Sequence, residues 1–216
     1  MEQSFEFYPY MLDPAAVKIG SAGKYLNVEV SVKGKELFVK VFKEGKLQSF
    51  DDGIKIMAFD SRQAQDIAEA IKYLAGNGKP KEKVWGDKQS ALKFITENVG
   101  DMKSEGKEVK QKIELTNNDP CKITLTVSST DDKGKTTDEI YEFALPDMNK
   151  LTVDLKVSGK NIVVTLHGKN KEKLVKVYKN GAQQAWGTDV KFEVNDVETG
   201  KNIANAFKSA ITQCEK

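Results

Sequence analysis

One histidine, two cysteines and one arginine are the scarce reactive side chains of this 216-residue chain. Any Ser-His-Asp or Cys-His arrangement would have to use His167 as its base. His167 stands late in a strand-like alternation, close to a turn, and no nucleophile or orienting partner stands at a recognisable spacing. It is therefore read as a strand-end histidine. One histidine with two distant cysteines lacks the ligand spacing of a zinc site. Gly20-Ser-Ala-Gly-Lys-Tyr has two residues between its glycines and Tyr25 after the lysine. A phosphate loop needs four residues there and a Ser or Thr after the lysine, so this segment is read as a hairpin turn. Asp131-Asp-Lys-Gly-Lys-Thr-Thr-Asp-Glu does not place oxygen ligands at calcium-loop spacing and reads as a solvated hairpin tip. Asp51-Asp52 stands among 32 acidic residues, and nothing singles out two carboxylates for glycoside hydrolysis. No catalytic residue, metal or cofactor is assigned, and the chain is read as not an enzyme.

The bulk charge narrows the partners. Lys plus Arg is 34 against 32 Asp plus Glu, a net charge of +2, and Arg62 is the only arginine. A nucleic-acid surface shows a basic excess or a basic face, and guanine and phosphate are best held by the arginine fork. Nucleic acid is thus excluded as a partner. No apolar run approaches the roughly 20 residues of a membrane span. The start, Met-Glu-Gln-Ser-Phe-Glu-Phe-Tyr, has neither the basic nor the apolar region of a signal peptide. Either an export signal has been trimmed away or the protein is cytoplasmic.

The elements that must position any site follow from an internal match. Residues 5–75 align with 141–211 at a constant offset of 136 without a gap. The 21 identical pairs include Glu6/Glu142, Gly45/Gly181, Asp60/Asp196 and Ala68/Ala204, and Val39-Lys40-Val41 matches Val175-Lys176-Val177. Apolar positions stay in phase throughout, which indicates a duplication. Leu26, Val28, Val30 and Val32 alternate with polar residues, as do Ile162, Val164 and Leu166. That is the period of a half-buried strand. Further strands are predicted at 38–42 and 174–178 and at 54–58 and 190–194. Turns fall at Gly23-Lys24, Gly159-Lys160, Gly45 and Gly181. Asp60 and Asp196 have the short acceptor side chain of a helix N-cap. Each precedes an amphipathic stripe: Ala64, Ile67, Ala68, Ile71 and Leu74, then Ile203, Ala204, Phe207, Ala210 and Ile211.

Between the copies lies a turn-rich charged linker, followed by a helix capped by Asp87 and carrying Ala91, Leu92, Ile95 and Val99. Strands near 110–115 and 122–127 have no counterpart in the first copy. The expected organisation is a first unit over 1–78, a linker with its helix over 79–106, and a second unit over 107–216. The fold class is mainly β with α (α+β): two tandem repeats of antiparallel strands, each closed by a C-terminal helix. The first unit begins at its third strand, and an uncovered sheet edge invites pairing with the 87–99 helix, the other unit or a second chain.

Seven strands closed by a helix, over roughly 107–214, resemble the pleckstrin-homology-like fold in element order. Members that bind phosphoinositides use a basic first hairpin loop. Here that loop is Thr116-Asn-Asn-Asp-Pro, so this resemblance implies a fold without that ligand. The runs Tyr141-Glu-Phe, Lys176-Val-Tyr-Lys-Asn-Gly and Asp196-Val-Glu-Thr look like those of exported repeat proteins of Bacteroidetes-type bacteria, a group with no assigned activity.

Cys214 lies just past the second helix, where the first copy has Gly78, and Cys121 lies in a strand that the first copy lacks. Two cysteines present in one unit and missing from the other are expected to be disulfide partners, which implies a periplasmic or extracellular location. The alternative is a pair of buried free thiols in the cytoplasm. Trp186 matches Phe50 across the repeat, which suggests a common packing role, and Trp85 is expected at the inter-unit junction. All three are also candidates for a ligand or interface surface. The expected function is a non-catalytic binding or protein-interaction module with a protein or cell-surface partner. The other class is a small enzyme or ligand carrier with a site between the units.

Overall fold

The computed structural model describes residues 3–23, 25–80, 83–104 and 107–215. Lys24 of the first predicted turn and Lys81, Glu82, Glu105 and Gly106 of the predicted linker lie outside the described residues. Among the described residues the chain is mainly β with three α-helices, all strand pairs are antiparallel, and no helix is long and apolar enough to cross a membrane. It divides into two compact units, 1–81 and 82–216.

The first unit holds β1 (Gln3–Glu6), β2 (Lys18–Ala22), β3 (Tyr25–Ser31), β4 (Val39–Lys43), β5 (Lys46–Asp51), β6 (Gly53–Ala58) and α1 (Ser61–Asn77). One sheet has the order β1-β4-β5 and the other β2-β3-β6. Asp60 caps α1, its carboxylate accepting from the Gln63 amide at 2.8 Å. The helix buries Ala64, Ala68, Ile71 and Ala75. The stripe expected from sequence included Leu74, which is instead 52% exposed. The face that packs is a narrow one of three alanines and Ile71, and it rests on β3, β2 and β6.

The second unit holds α2 (Lys88–Asn98), β7 (Met102–Ser104), β8 (Lys107–Thr116), β9 (Asp119–Asp131), β10 (Thr136–Ala144), β11 (Asp154–Ser158), β12 (Asn161–His167), β13 (Lys176–Lys179), β14 (Ala182–Gln183), β15 (Asp189–Val194) and α3 (Val197–Cys214). Its sheets have the orders β14-β13-β10-β9-β8-β7 and β11-β12-β15. Asp196 and Asp87 cap α3 and α2, each accepting a backbone amide at 2.8 Å. The buried face of α3 carries Ile203, Phe207, Ala210 and Ile211, all at 0% exposure. α2 packs on α3 within this unit.

The connectivity is not a simple meander. After β12 the chain crosses to the larger sheet, lays β13 beside β10, and returns as β15 beside β12. The first unit does the same, with β4 beside β1 and β6 beside β3. The registers match at the 136-residue offset: Gln3 faces Lys43 as Glu139 faces Lys179. The hairpin turns match as well. Glu44-Gly45 and Asn180-Gly181 all have positive φ, between 49° and 79°. Two consecutive left-handed residues form a type I′ turn, whose twist suits a two-residue hairpin. Asn180 also receives the Asp138 amide on its side chain at 3.0 Å.

The units differ at one edge. β10 pairs with β9 over nine residues on the side away from β13. Among the described residues, no strand pairs with the corresponding side of β1. β8 also does something in the second unit that no predicted element foretold. Its buried Gln111 reaches across to the free edge of β15, where the side-chain oxygen accepts from the Glu193 amide at 2.8 Å and the side-chain nitrogen donates to the Glu193 carbonyl at 2.9 Å. A third bond runs to the Gly100 carbonyl at 3.0 Å. One amide side chain thus takes the place of a neighbouring strand.

Candidate functional site

Residues that are cross-strand partners, or two apart on one strand, share a face of a sheet. In the six-stranded sheet Val109, Gln111, Ile113, Ile123, Leu125 and Phe143 are buried and mark the inner face. The outer face then carries a continuous row: Lys176 faces Glu142, Glu142 faces Thr124, and Thr124 faces Glu114. The bridge between Val175 and Gly187 sets Trp186 beside Lys176 at the end of this row. Tyr178 and Ile140 form the next row on the same face.

Trp186 is 42% exposed, and the Lys176 ammonium lies 5.7 Å from its ring centroid. An open cleft of about 420 Å³ runs beside it, lined by Thr116, Lys122, Thr124, Glu142, Asp147, Lys176 and Trp186 among others. The cleft therefore offers one aromatic face, two ammonium groups, two carboxylates and two hydroxyls. Such a surface stacks on a ring or planar group and hydrogen-bonds its polar rim. Phe50, the counterpart of Trp186, is buried at 9% exposure, so the shared position serves packing in one unit and a surface in the other.

Trp85 sits elsewhere in the second unit. Its ring lies 4.6 Å from that of Phe94 on α2, and its carbonyl accepts from the Ser209 hydroxyl of α3 at 3.3 Å. The Lys83 ammonium lies 4.4 Å from the Phe94 centroid, and the Lys83 amide donates to the buried Asn202 side chain at 3.0 Å. The segment entering α2 is thereby fastened to both helices. The structure does not bring Trp85 and Trp186 into one site.

Cys121 and Cys214 form a disulfide with Cα atoms 5.9 Å apart, joining the start of β9 to the end of α3. No free cysteine is present.

His167 has a partner that the sequence did not reveal. Its Nδ1 lies 2.8 Å from Asp189 Oδ1, a directly opposed residue on β15, and both side chains are about one-third exposed. The pairing depends on register between strands 22 residues apart, which spacing alone cannot show. No serine, threonine or cysteine among the described residues hydrogen-bonds this imidazole, so the pair has no nucleophile beside it to activate. On the inner face of the six-stranded sheet, the Tyr141 hydroxyl donates to Glu139 at 2.7 Å, and Lys179 pairs with the same carboxylate at 3.0 Å. Burial, and then the bond to Glu139, pushes the Tyr141 hydroxyl far above its usual range. The Tyr141 bond, helped by Lys179, holds Glu139 below the usual carboxylate range. Among the described residues no group of three His, Cys, Asp or Glu side chains converges as a metal would need. Comparison with protein-family models, with curated proteins and with solved structures finds no match for this chain.

Proposed function

We propose that this chain is a non-catalytic binding module working outside the cytoplasm, and that it recognises a protein or cell-surface partner through the Trp186 cleft. The observation that carries this reading is the large aromatic left exposed on the outer sheet face, where the repeat-related Phe50 is buried. An exposed tryptophan beside convergent polar groups forgoes the stabilisation that burying its ring would give, as expected of a surface that meets a ligand. The extracytoplasmic location is supported by the Cys121–Cys214 disulfide, a bond that persists in oxidising compartments.

The chain is also read as a tandem duplication in which β7, β8 and β9 of the second copy have no counterpart among the described residues of the first. Element order, register and turn geometry recurring at one offset support that reading. The pleckstrin-homology-like reading of the second unit rests on its seven main strands closed by α3. The sheet-crossing β13–β14 hairpin is its principal departure from a meander.

The test is binding of the purified chain to immobilised glycans and to intact bacterial and host cell surfaces, with Trp186→Ala as the comparison. Loss of one stacked aromatic should weaken binding about tenfold or more. A ligand that binds Trp186→Ala as tightly as the parent protein removes the cleft from the proposal.

A further inference from the structure

The disulfide of the second unit joins two sulfurs whose electrostatic surroundings differ in sign. Cys121, on β9, stands beside the first residue of α2: the Lys88 ammonium donates to Cys121 Sγ at 3.7 Å, and both residues are half-buried. A half-buried charge is screened less than one in open solvent, so the contact favours negative charge on this sulfur. Among the described residues no carboxylate pairs with Lys88. The two nearest acids in the chain are engaged elsewhere. Asp119 accepts the Cys121 amide at 3.1 Å and pairs with Lys122 at 3.6 Å. Asp87 accepts the Ser90 amide at 2.8 Å and the Ser90 hydroxyl at 2.7 Å.

Cys214 is the last residue of α3, where the final carbonyls form the negative end of the helix dipole. The next residue, Glu215, adds a carboxylate, held by Lys150 at 3.1 Å and Lys169 at 2.8 Å. A thiolate is therefore favoured on Cys121 and disfavoured on Cys214.

We propose that Cys214 is a modification site for a small thiol: the incoming thiol forms a mixed disulfide there, and Cys121 leaves as a thiolate held by the Lys88 ammonium. The thiol loses its proton to water, and the thiolate attacks Cys214 Sγ. A new sulfur–sulfur bond forms at Cys214, the Cys121–Cys214 bond breaks, and its electron pair departs on Cys121. The sulfur with the better-stabilised thiolate leaves faster, which sets the direction of attack. No oxidant or reductant is consumed beyond the thiol itself. In an oxidising compartment the step runs in reverse. The Cys121 thiolate attacks a mixed disulfide on Cys214, expels the small thiol and closes the bond. Exchange needs access to the sulfur, and both cysteines are half-buried, which suits a small thiol better than a folded protein.

The test uses the full oxidised chain with glutathione as the probe. Brief exposure to millimolar glutathione at about pH 8 is followed by a quench with acidic N-ethylmaleimide. Peptide mass spectrometry then shows which cysteine carries the glutathionyl group. Cys214 adducts should exceed Cys121 adducts about threefold or more, the ratio set at that pH by thiols whose acidities differ about tenfold. Lys88→Gln keeps the length of the side chain but not its charge, and should cut the excess at least about twofold. Lys88→Arg keeps the charge and should restore it. Equal labelling of the two cysteines in the parent chain overturns the inference. So does an excess that Lys88→Gln leaves intact or that Lys88→Arg fails to restore, and so does a bond that glutathione does not open.

Discussion

Replacing both Cys121 and Cys214 with serine tests how much of the second unit's stability comes from its one covalent tie. The bridge spans a sequence separation of 93 residues. In the chain-entropy model a loop of that length, left open in the unfolded state, costs the folded protein about 4.6 kcal/mol at 25 °C. The folded contacts survive the change, since α3 is held by Ile203, Phe207, Ala210 and Ile211, all fully buried. Unfolding entropy of about 2.1 cal/mol/K per residue, over a unit of roughly 135 residues, converts the loss to a fall in Tm of about 16 °C. Trp85 and Trp186 both lie in the second unit, so tryptophan fluorescence in a urea titration reports that unit selectively. The midpoint should fall and the denaturant slope should rise, because the unlinked chain expands further. A stability loss below about 1 kcal/mol, or an unchanged slope, would refute the argument that the bridge acts on the unfolded chain.

Two further outcomes follow from the inner face of the same unit. Gln111→Leu keeps the volume but leaves the Glu193 amide and carbonyl without their partner, and should cost about 2–3 kcal/mol in the same titration; a loss under about 0.5 kcal/mol would show that water replaces the side chain. Glu139 is held below its ordinary value, so its contribution to stability is present above the unfolded pKa and is lost as pH falls through the folded one. Tyr141 is raised, so its contribution is intact below the unfolded pKa of 10.0 and declines as pH climbs above it. Stability should therefore fall at both ends, and Tyr141→Phe should flatten the alkaline limb while moving the Glu139 carboxylate titration, followed by NMR, upward. An unshifted Glu139 would sink the assignment.

What the sequence made legible was whatever depends on near neighbours or on the 136-residue offset. Asp60, Asp87 and Asp196 announce their helices because a cap acts within three residues. The cysteine pairing was legible because the repeat shows both residues absent from the other unit. Hydrophobic alternation placed β3, β6, β12 and β15 to within a residue or two. It could not say which sheet a strand joins, because alternation marks faces and not neighbours. Hence the crossing of β13 to β10 went unseen, and so did every contact that follows from pairing. His167 beside Asp189 is a matter of register, and Gln111 against Glu193 joins residues 82 positions apart. Trp186 and Phe50 occupy one aligned position yet differ in exposure, because exposure is set by what covers a position and not by its place in the strand pattern. Leu74 misled for a related reason: α1 packs through its small residues, and a large apolar side chain beside that narrow stripe is left in solvent.

The strand crossing has a consequence in time. β12 must find β15, and their pairing brings Ile162 to Val194 across an intervening hairpin that belongs to the other sheet. That hairpin forms locally at the Asn180-Gly181 turn, on the microsecond scale of such elements, but it is anchored only once β10 is in place to receive it. Neither sheet can be completed before the other has begun, because the chain visits each twice. Closing distant segments requires loop entropy to be spent before contacts return it, and folds with many such pairs reach the native state in milliseconds to seconds. The same interleaving ties the two sheets of each unit together through three chain crossings, so each unit should open as a whole and not in pieces.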